Sequence, residues 1–182
     1  MKITKIFRTE TSHIVANTFS DRCRKSYHGH SYVIEVSLES SQLDNAGMVL
    51  DFGLLKGPVR DFIDSFDHAH MINKFNKDEV DFFTKHNDRW IKLPFNPSAE
   101  MMALMFLAYV KRLINQHNLN NGEGRLYVTE VTVHETVTGR ATASMEDYER
   151  LWKPEWELEC SDGIKKDWSP ELVKMLENPN YI

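Results

Sequence analysis

The sequence predicts an α+β domain in which helices pack on one face of an antiparallel sheet. Three observations carry that expectation. The segments HSYVIEVSL (30–38) and LYVTEVTVHETV (126–137) alternate with period two, as half-buried strands do. A long apolar stretch between them, from Met101 through Ile114, has helical spacing. The resulting order is strand, strand, helix, helix, strand, strand. A chain of 182 residues suffices for one domain with a full hydrophobic core.

Residues 2–15 open with β-formers (Ile3, Ile6, Phe7, Ile14, Val15) and read as the first strand. In the second strand Tyr32, Ile34, Val36 and Leu38 share one face, with Val33, Glu35 and Ser37 on the other. LDNAG turns the chain, and a helix is expected after Asp51 as N-cap, its start delayed or kinked by Pro58. The second helix is signalled by Asn96 as cap, Pro97 at the first position and Glu100 in the first turn. The polar loop NQHNLNNGEGR leads to the strand 126–137, and residues 141–148 suit a short partner strand.

Two segments fall outside this plan. Residues 74–95 read as a short helix and an edge strand ending at Pro94. The tail from Tyr148 carries Trp152, Trp156 and Trp168, and its last element has Ser169 as cap, Pro170 in the first turn and Pro179 as stop. Three tryptophans imply a tail that docks. The boundaries expected are a domain over 1–147 and an extension over 148–182.

Hydrophobic content of 41% and charged content of 27% are those of a soluble globular protein. A net charge of -5 argues against general nucleic-acid binding. No apolar run approaches the roughly 20 residues that span a bilayer, and the start lacks a signal-peptide core. Two cysteines make no disulfide framework, so a reduced cytoplasmic setting is expected.

The stretch DRCRKSYHGH (21–30) holds the densest chemistry. In a strand His28 and His30 project from one face, and His13 on the preceding strand can complete a three-imidazole site suited to zinc with a fourth position open. Alternatively HGH is a polar strand start with solvated histidines. Cys23, beside Arg22, Arg24 and Lys25, is either a stabilised thiolate or a small buried hydrophobe. The basic residues suit a polyphosphate or a solvated turn. Glu135 shares the apolar face of its strand with Val131 and Val133 and needs a partner, either adjacent N–H donors such as a pterin edge or a salt bridge. Asp67-His68 suits a proton relay or an ordinary loop. His70, His86, His117 and His134 read equally well as surface residues.

Taken in order, Ser12-His13, Cys23-x4-HGH, VLDF (49–52), DHAHMIN (67–73), NPSAE (96–100) and VTVHET (131–136) resemble the 6-pyruvoyl-tetrahydropterin synthase family, over about residues 3–140. The resemblance implies a T-fold, a tandem ββααββ unit that assembles as an oligomeric barrel. It implies a homohexamer, a dimer of trimers, with active sites between subunits. It makes His13, His28 and His30 zinc ligands, Cys23 the catalytic thiol, Asp67 and His68 the acid/base pair, and Glu135 the pterin anchor. Ser98, Arg24 and Lys25 join the substrate-binding set, the last two for phosphate.

The implied reaction is conversion of 7,8-dihydroneopterin triphosphate to 6-carboxy-5,6,7,8-tetrahydropterin, with release of acetaldehyde and triphosphate, on the queuosine pathway. Alternatives are 6-pyruvoyl-tetrahydropterin synthesis, side-chain cleavage of dihydroneopterin, or a non-catalytic pterin or guanine binder. Four residues separate Cys23 from HGH, between the three of the bacterial branch and the five of the eukaryotic one. Ser98 stands where the family usually has threonine. The 74–95 insertion resembles that of longer bacterial relatives.

Overall fold

Two twelve-residue strands, β1 (Lys2–His13) and β2 (His28–Glu39), pair antiparallel along their whole length. They frame the computed structural model, which describes residues 1–178. Tyr32, Ile34, Val36 and Leu38 on the predicted face of β2 are fully buried. Behind them β5 (Tyr127–His134) pairs with β2, and β6 (Arg140–Ser144) with β5. Helices α2 (Pro58–Asp64) and α4 (Ala99–Ile114) lie on the buried face, and ten of the sixteen α4 residues are buried.

The helix starts differ from expectation for local reasons. Asp51 caps no helix: its Oδ1 accepts Gly53 N–H at 2.7 Å just ahead of a single 3-10 turn over Leu54–Lys56, whose N-cap is Gly53. Pro58 then sits at the start of α2, where its missing N–H costs nothing. Asn96 does not cap α4. Its side chain donates to the Ala16 carbonyl and accepts from Asn73, while Ser98 is the N-cap and accepts from Met101 N–H. The Asn96-Pro97 pair therefore stays outside the helix.

The sheet is larger and more mixed than predicted. Its seven strands run in the order β6-β5-β2-β1-β3-β4-β7. The first four are antiparallel, but β3 (Ala69–Asn73) runs parallel to β1, and β4 (Trp90–Leu93) parallel to β3. Nor is β4 an edge, because β7 (Glu159–Cys160) pairs outside it. The insertion helix α3 (Lys77–His86) adds a second correction. Ala69 and Met71 of β3 face the main core, whereas His70 points to the reverse face and stacks on Phe83 of α3 at 3.6 Å. Helices therefore cover both faces of the sheet near β3.

Beyond β6, residue Ser144 closes a capping box with Asp147, so residues 145–148 belong to α5 (Met145–Leu151) and not to a strand. The tail continues through α6 (Asp162–Lys165) and α7 (Pro170–Leu176). Ile164, Leu172 and Met175 join the core, Trp152 and Trp156 pack around Phe95, and Trp168 Nε1 donates to Ser65 Oγ at 2.7 Å. Ser169 caps α7 as expected. The expected stop at Pro179 lies outside the described residues. Among the described residues no helix is long and apolar enough to cross a membrane.

Candidate active site

The β1–β2 register places His13 directly opposite His28 and Thr11 opposite His30. With alternate side chains on one face, the three imidazoles meet where the two strands end. Ring centroids lie 4.6 Å apart for His13 and His28, 5.3 Å for His13 and His30, and 5.1 Å for His28 and His30. One ligand nitrogen from each lies within 4.8 Å of the others.

The ring nitrogens can be assigned from their partners. His13 Nδ1 lies 2.7 Å from the Pro97 carbonyl and His28 Nδ1 2.9 Å from the Ser26 carbonyl. A carbonyl only accepts, so both Nδ1 atoms carry protons, which leaves Nε2 as the nitrogen of each ring that can coordinate a metal. His30 Nε2 is buried without a hydrogen-bond partner among the described residues. Burial pushes His13 down to about 4, with His28 and His30 adding to the effect against the Pro97 hydrogen bond. Burial also lowers His30, opposed by Glu135. The burial that favours neutral His13 and His30, the donated Nδ1–H groups of His13 and His28, and the orphaned Nε2 of His30 fit a divalent metal and suit zinc by donor type.

Glu135 is the first residue past β5, one third exposed, with Oε1 3.6 Å from His13 Nε2 and 3.7 Å from His30 Nε2. Its backbone N–H bonds Gly139. Tyr32 is the site residue that sequence reasoning assigned only to the core. Its hydroxyl is 3.3 Å from His13 Nδ1, and burial followed by the Glu135 carboxylate raises its pKa strongly. The signal was present, since Tyr32 continues the alternation of His28 and His30.

Cys23 is half-buried on α1 (Asp21–Lys25), and its carbonyl accepts from Val15 N–H at 3.0 Å, which ties α1 to the chain leaving β1. The thiol is near enough to Tyr32 to raise its phenol further. Arg24 and Lys25 are exposed and share one counter-ion, Asp21. Ser98 spends its hydroxyl on the α4 cap.

Asp67 and His68 form the turn between α2 and β3. His68 adopts a left-handed backbone, φ 55°, and its Nδ1 lies 2.8 Å from Asp67 Oδ2. Burial alone would raise the Asp67 carboxyl, yet hydrogen bonds from Glu10 N–H and His68, with Arg89 nearby, hold it below its ordinary value. An open groove of about 340 Å³ includes His30 and His68 together with Glu10, Ser12, Ser31 and Asn87.

Of the histidines read as surface residues, His70 is the exception. It is 1% exposed, with Nδ1 2.8 Å from Ser12 Oγ and Nε2 3.1 Å from the equally buried Glu79. Tyr27, in the spacer between Cys23 and HGH, packs edge-on against both His70 and Phe83.

Fold and site together define an α+β protein of the T-fold type with a three-histidine cluster able to hold a metal. The family profile described as 6-pyruvoyl tetrahydropterin synthase matches residues 2–146. Two 6-carboxy-5,6,7,8-tetrahydropterin synthases from Helicobacter pylori, strains J99 and 26695, are 43% and 41% identical, each match covering 82% of this chain and 75% of the relative. Solved structures of an uncharacterized Wolinella succinogenes protein (TM-score 0.65, 22% identity) and of Plasmodium vivax 6-pyruvoyl tetrahydropterin synthase (TM-score 0.56, 21% identity) share the fold. Each covers 79% of this chain and 97% of its own. The chain belongs to the 6-pyruvoyl tetrahydropterin synthase family, and it is an enzyme of that family.

Proposed function

We propose that this enzyme is a zinc-dependent lyase that converts 7,8-dihydroneopterin triphosphate and water to 6-carboxy-5,6,7,8-tetrahydropterin, acetaldehyde and triphosphate. The observation that carries the reading is the convergence of three imidazoles beside Glu135 and Tyr32, in a chain 43% identical to a 6-carboxy synthase.

His13, His28 and His30 would hold the metal, which when bound supplies Lewis acidity toward the substrate's side-chain hydroxyls. Glu135 accepts hydrogen bonds from the amino-pyrimidinone edge of the pterin, and Tyr32 steadies that carboxylate from the buried side. Cys23, as thiolate, removes a side-chain proton. His68, held by Asp67, exchanges protons with the other side of the substrate. Cys23 is half-buried and His68 exposed, so solvent reaches both, which supports a role in proton transfer. Arg24 and Lys25 lie on the exposed face of α1, where a triphosphate would displace Asp21 as their anionic partner. The working unit in this reading is a homohexamer with sites between subunits, as the family resemblance implies. Ser98 would join the substrate-binding set as the neighbour of Pro97, whose carbonyl accepts from His13.

The test is incubation of the metal-loaded enzyme with dihydroneopterin triphosphate, followed by mass analysis of the pterin. The expected product is the 6-carboxy compound with equimolar acetaldehyde. A pyruvoyl product assigns the other branch, and absence of conversion overturns the reading.

A further inference from the structure

We propose that Arg89 is a positioning residue for the Asp67–His68 pair, and that the C-terminal segment 161–167 acts on the active site through it. This rests on the function proposed above.

The pair sits on a turn that must be held. A left-handed backbone at His68 is one that residues with a side chain seldom adopt unless neighbours impose it. Three contacts impose it here. His68 N–H donates to the Glu10 carbonyl at 2.7 Å, and Glu10 N–H donates back to Asp67 Oδ1 at 2.8 Å. The third is Arg89 Nε, which donates to the Asp67 carbonyl at 3.2 Å.

The rest of the guanidinium points to the tail. Nη1 donates to the Gly163 carbonyl at 3.2 Å and pairs with Asp167 at 2.6 Å. A planar guanidinium fixes the angle between its donors, so the tail contacts determine where Nε points. The tail is itself sewn to the chain around Arg89. Ser161 Oγ donates to the Asp88 carbonyl at 2.7 Å and accepts from Trp90 N–H at 3.2 Å, while Ser161 N–H donates to the Trp90 carbonyl at 3.0 Å. A Cβ on Gly163 would collide with the Asp88 carbonyl, so this close approach requires glycine. The family match ends at residue 146, which leaves both tail contacts outside the shared domain. Arg89 thus joins the end of the insertion, the extension and the Asp67–His68 turn.

Arg89→Ala, Arg89→Lys and Asp167→Ala in the full chain, loaded with zinc, test this in two ways. In turnover of dihydroneopterin triphosphate, Arg89→Ala should lower kcat 10- to 100-fold with KM within about twofold and metal content unchanged. Arg89→Lys should recover part of the loss, and Asp167→Ala should cost about two- to fivefold. Native-state hydrogen exchange reads the turn without turnover. The His68 amide should lose protection about tenfold in Arg89→Ala while Tyr32 and Ile34 amides keep theirs. Wild-type kcat with unchanged His68 exchange overturns the inference, as does a loss of protection spread evenly over the sheet. If Arg89→Ala does not fold, the lysine variant and Asp167→Ala decide on the same readouts. His68→Ala separates the two readings. Full activity there defeats the acid/base role of His68 and the positioning role with it, inactivity there beside normal Arg89→Ala turnover defeats only the positioning role, and absence of conversion by the unsubstituted enzyme defeats the proposed function itself.

Discussion

His13 and Pro97, 84 residues apart in sequence, are joined by a 2.7 Å hydrogen bond from the imidazole Nδ1–H to the carbonyl oxygen. The bond fixes the tautomer of a fully buried histidine and aims its Nε2 at His28 and His30. It also accounts for the late start of α4. Had Pro97 entered the helix, its carbonyl would bond within the helix and leave His13 without an acceptor.

The metal prediction follows from this geometry. His28→Ala/His30→Ala leaves one imidazole, which cannot hold a divalent ion against millimolar chelator. Zinc analysis of the purified variant should fall from one ion per chain to none. Retention of full zinc would remove the three-histidine assignment.

Acid stability of the metal-free protein gives the second prediction. His13 titrates at about 4 when folded against 6.5 as its ordinary value, so between those pH values the unfolded chain binds the extra proton. Stability conferred by the neutral buried ring is complete above pH 6.5 and lost as pH falls toward 4. The size is about 3 kcal/mol at most. His30 shifts in the same direction and adds to it. The lowered carboxyls of Asp67 and Asp147 add to the loss only at the acid end of this range and below it. Urea midpoints from pH 7 to 4 should drop, and His13→Asn should flatten the slope. An unchanged slope in that variant would mean His13 is not the group.

The sequence carried much of this site because strand periodicity is local. Alternation alone put His28, His30 and Tyr32 on one face, and the expectation for β2 matches its buried residues. Partners distant in sequence were not legible. Nothing in NPSAE shows that a carbonyl is needed at Pro97, so Asn96 took the cap that Ser98 fills. His70 read as a surface residue because its acceptor Glu79 lies on the insertion, whose position depends on parallel pairing of β3 and β4. Parallel pairing and the two-residue β7 leave no period to detect.

Ser98 permits a test that separates two roles. As N-cap of α4 its loss should cost about 1 kcal/mol. Ser98→Ala should therefore lower the unfolding midpoint, and Ser98→Thr should restore it. If the hydroxyl also binds substrate, KM rises in the alanine variant. A stability loss with KM unchanged confines Ser98 to capping.

Cys23 and Cys160 form an internal pair of opposite character. Burial pushes the Cys160 thiol up to about 12, whereas Cys23 is half-exposed. Iodoacetamide at pH 8 should label Cys23 first and leave Cys160 until the protein unfolds. The labelled enzyme, like Cys23→Ala, should keep zinc and lose 100- to 10,000-fold in kcat, the range of a missing acid–base group. Activity surviving complete modification of Cys23 would end its proposed role.

The tail is bound to the domain by buried apolar area, which makes its stability contribution measurable one residue at a time. Leu172 of α7 is fully buried in the same cluster as Phe62 of α2, and the two helices pack together. Leu172→Ala removes methyl groups from a site closed on both sides, so the loss combines transfer and cavity costs, about 2–5 kcal/mol. Lys174, two residues on and exposed, is the control, and its alanine variant should stay within about 0.5 kcal/mol. Both are to be read by urea unfolding monitored by tryptophan fluorescence, because Trp168 donates to Ser65 at the same contact. A single transition shifted in Leu172→Ala means that tail and domain unfold as one unit. An early tryptophan transition, with the main one unmoved, would instead make the tail a separately melting appendage and break the link between α7 and the core.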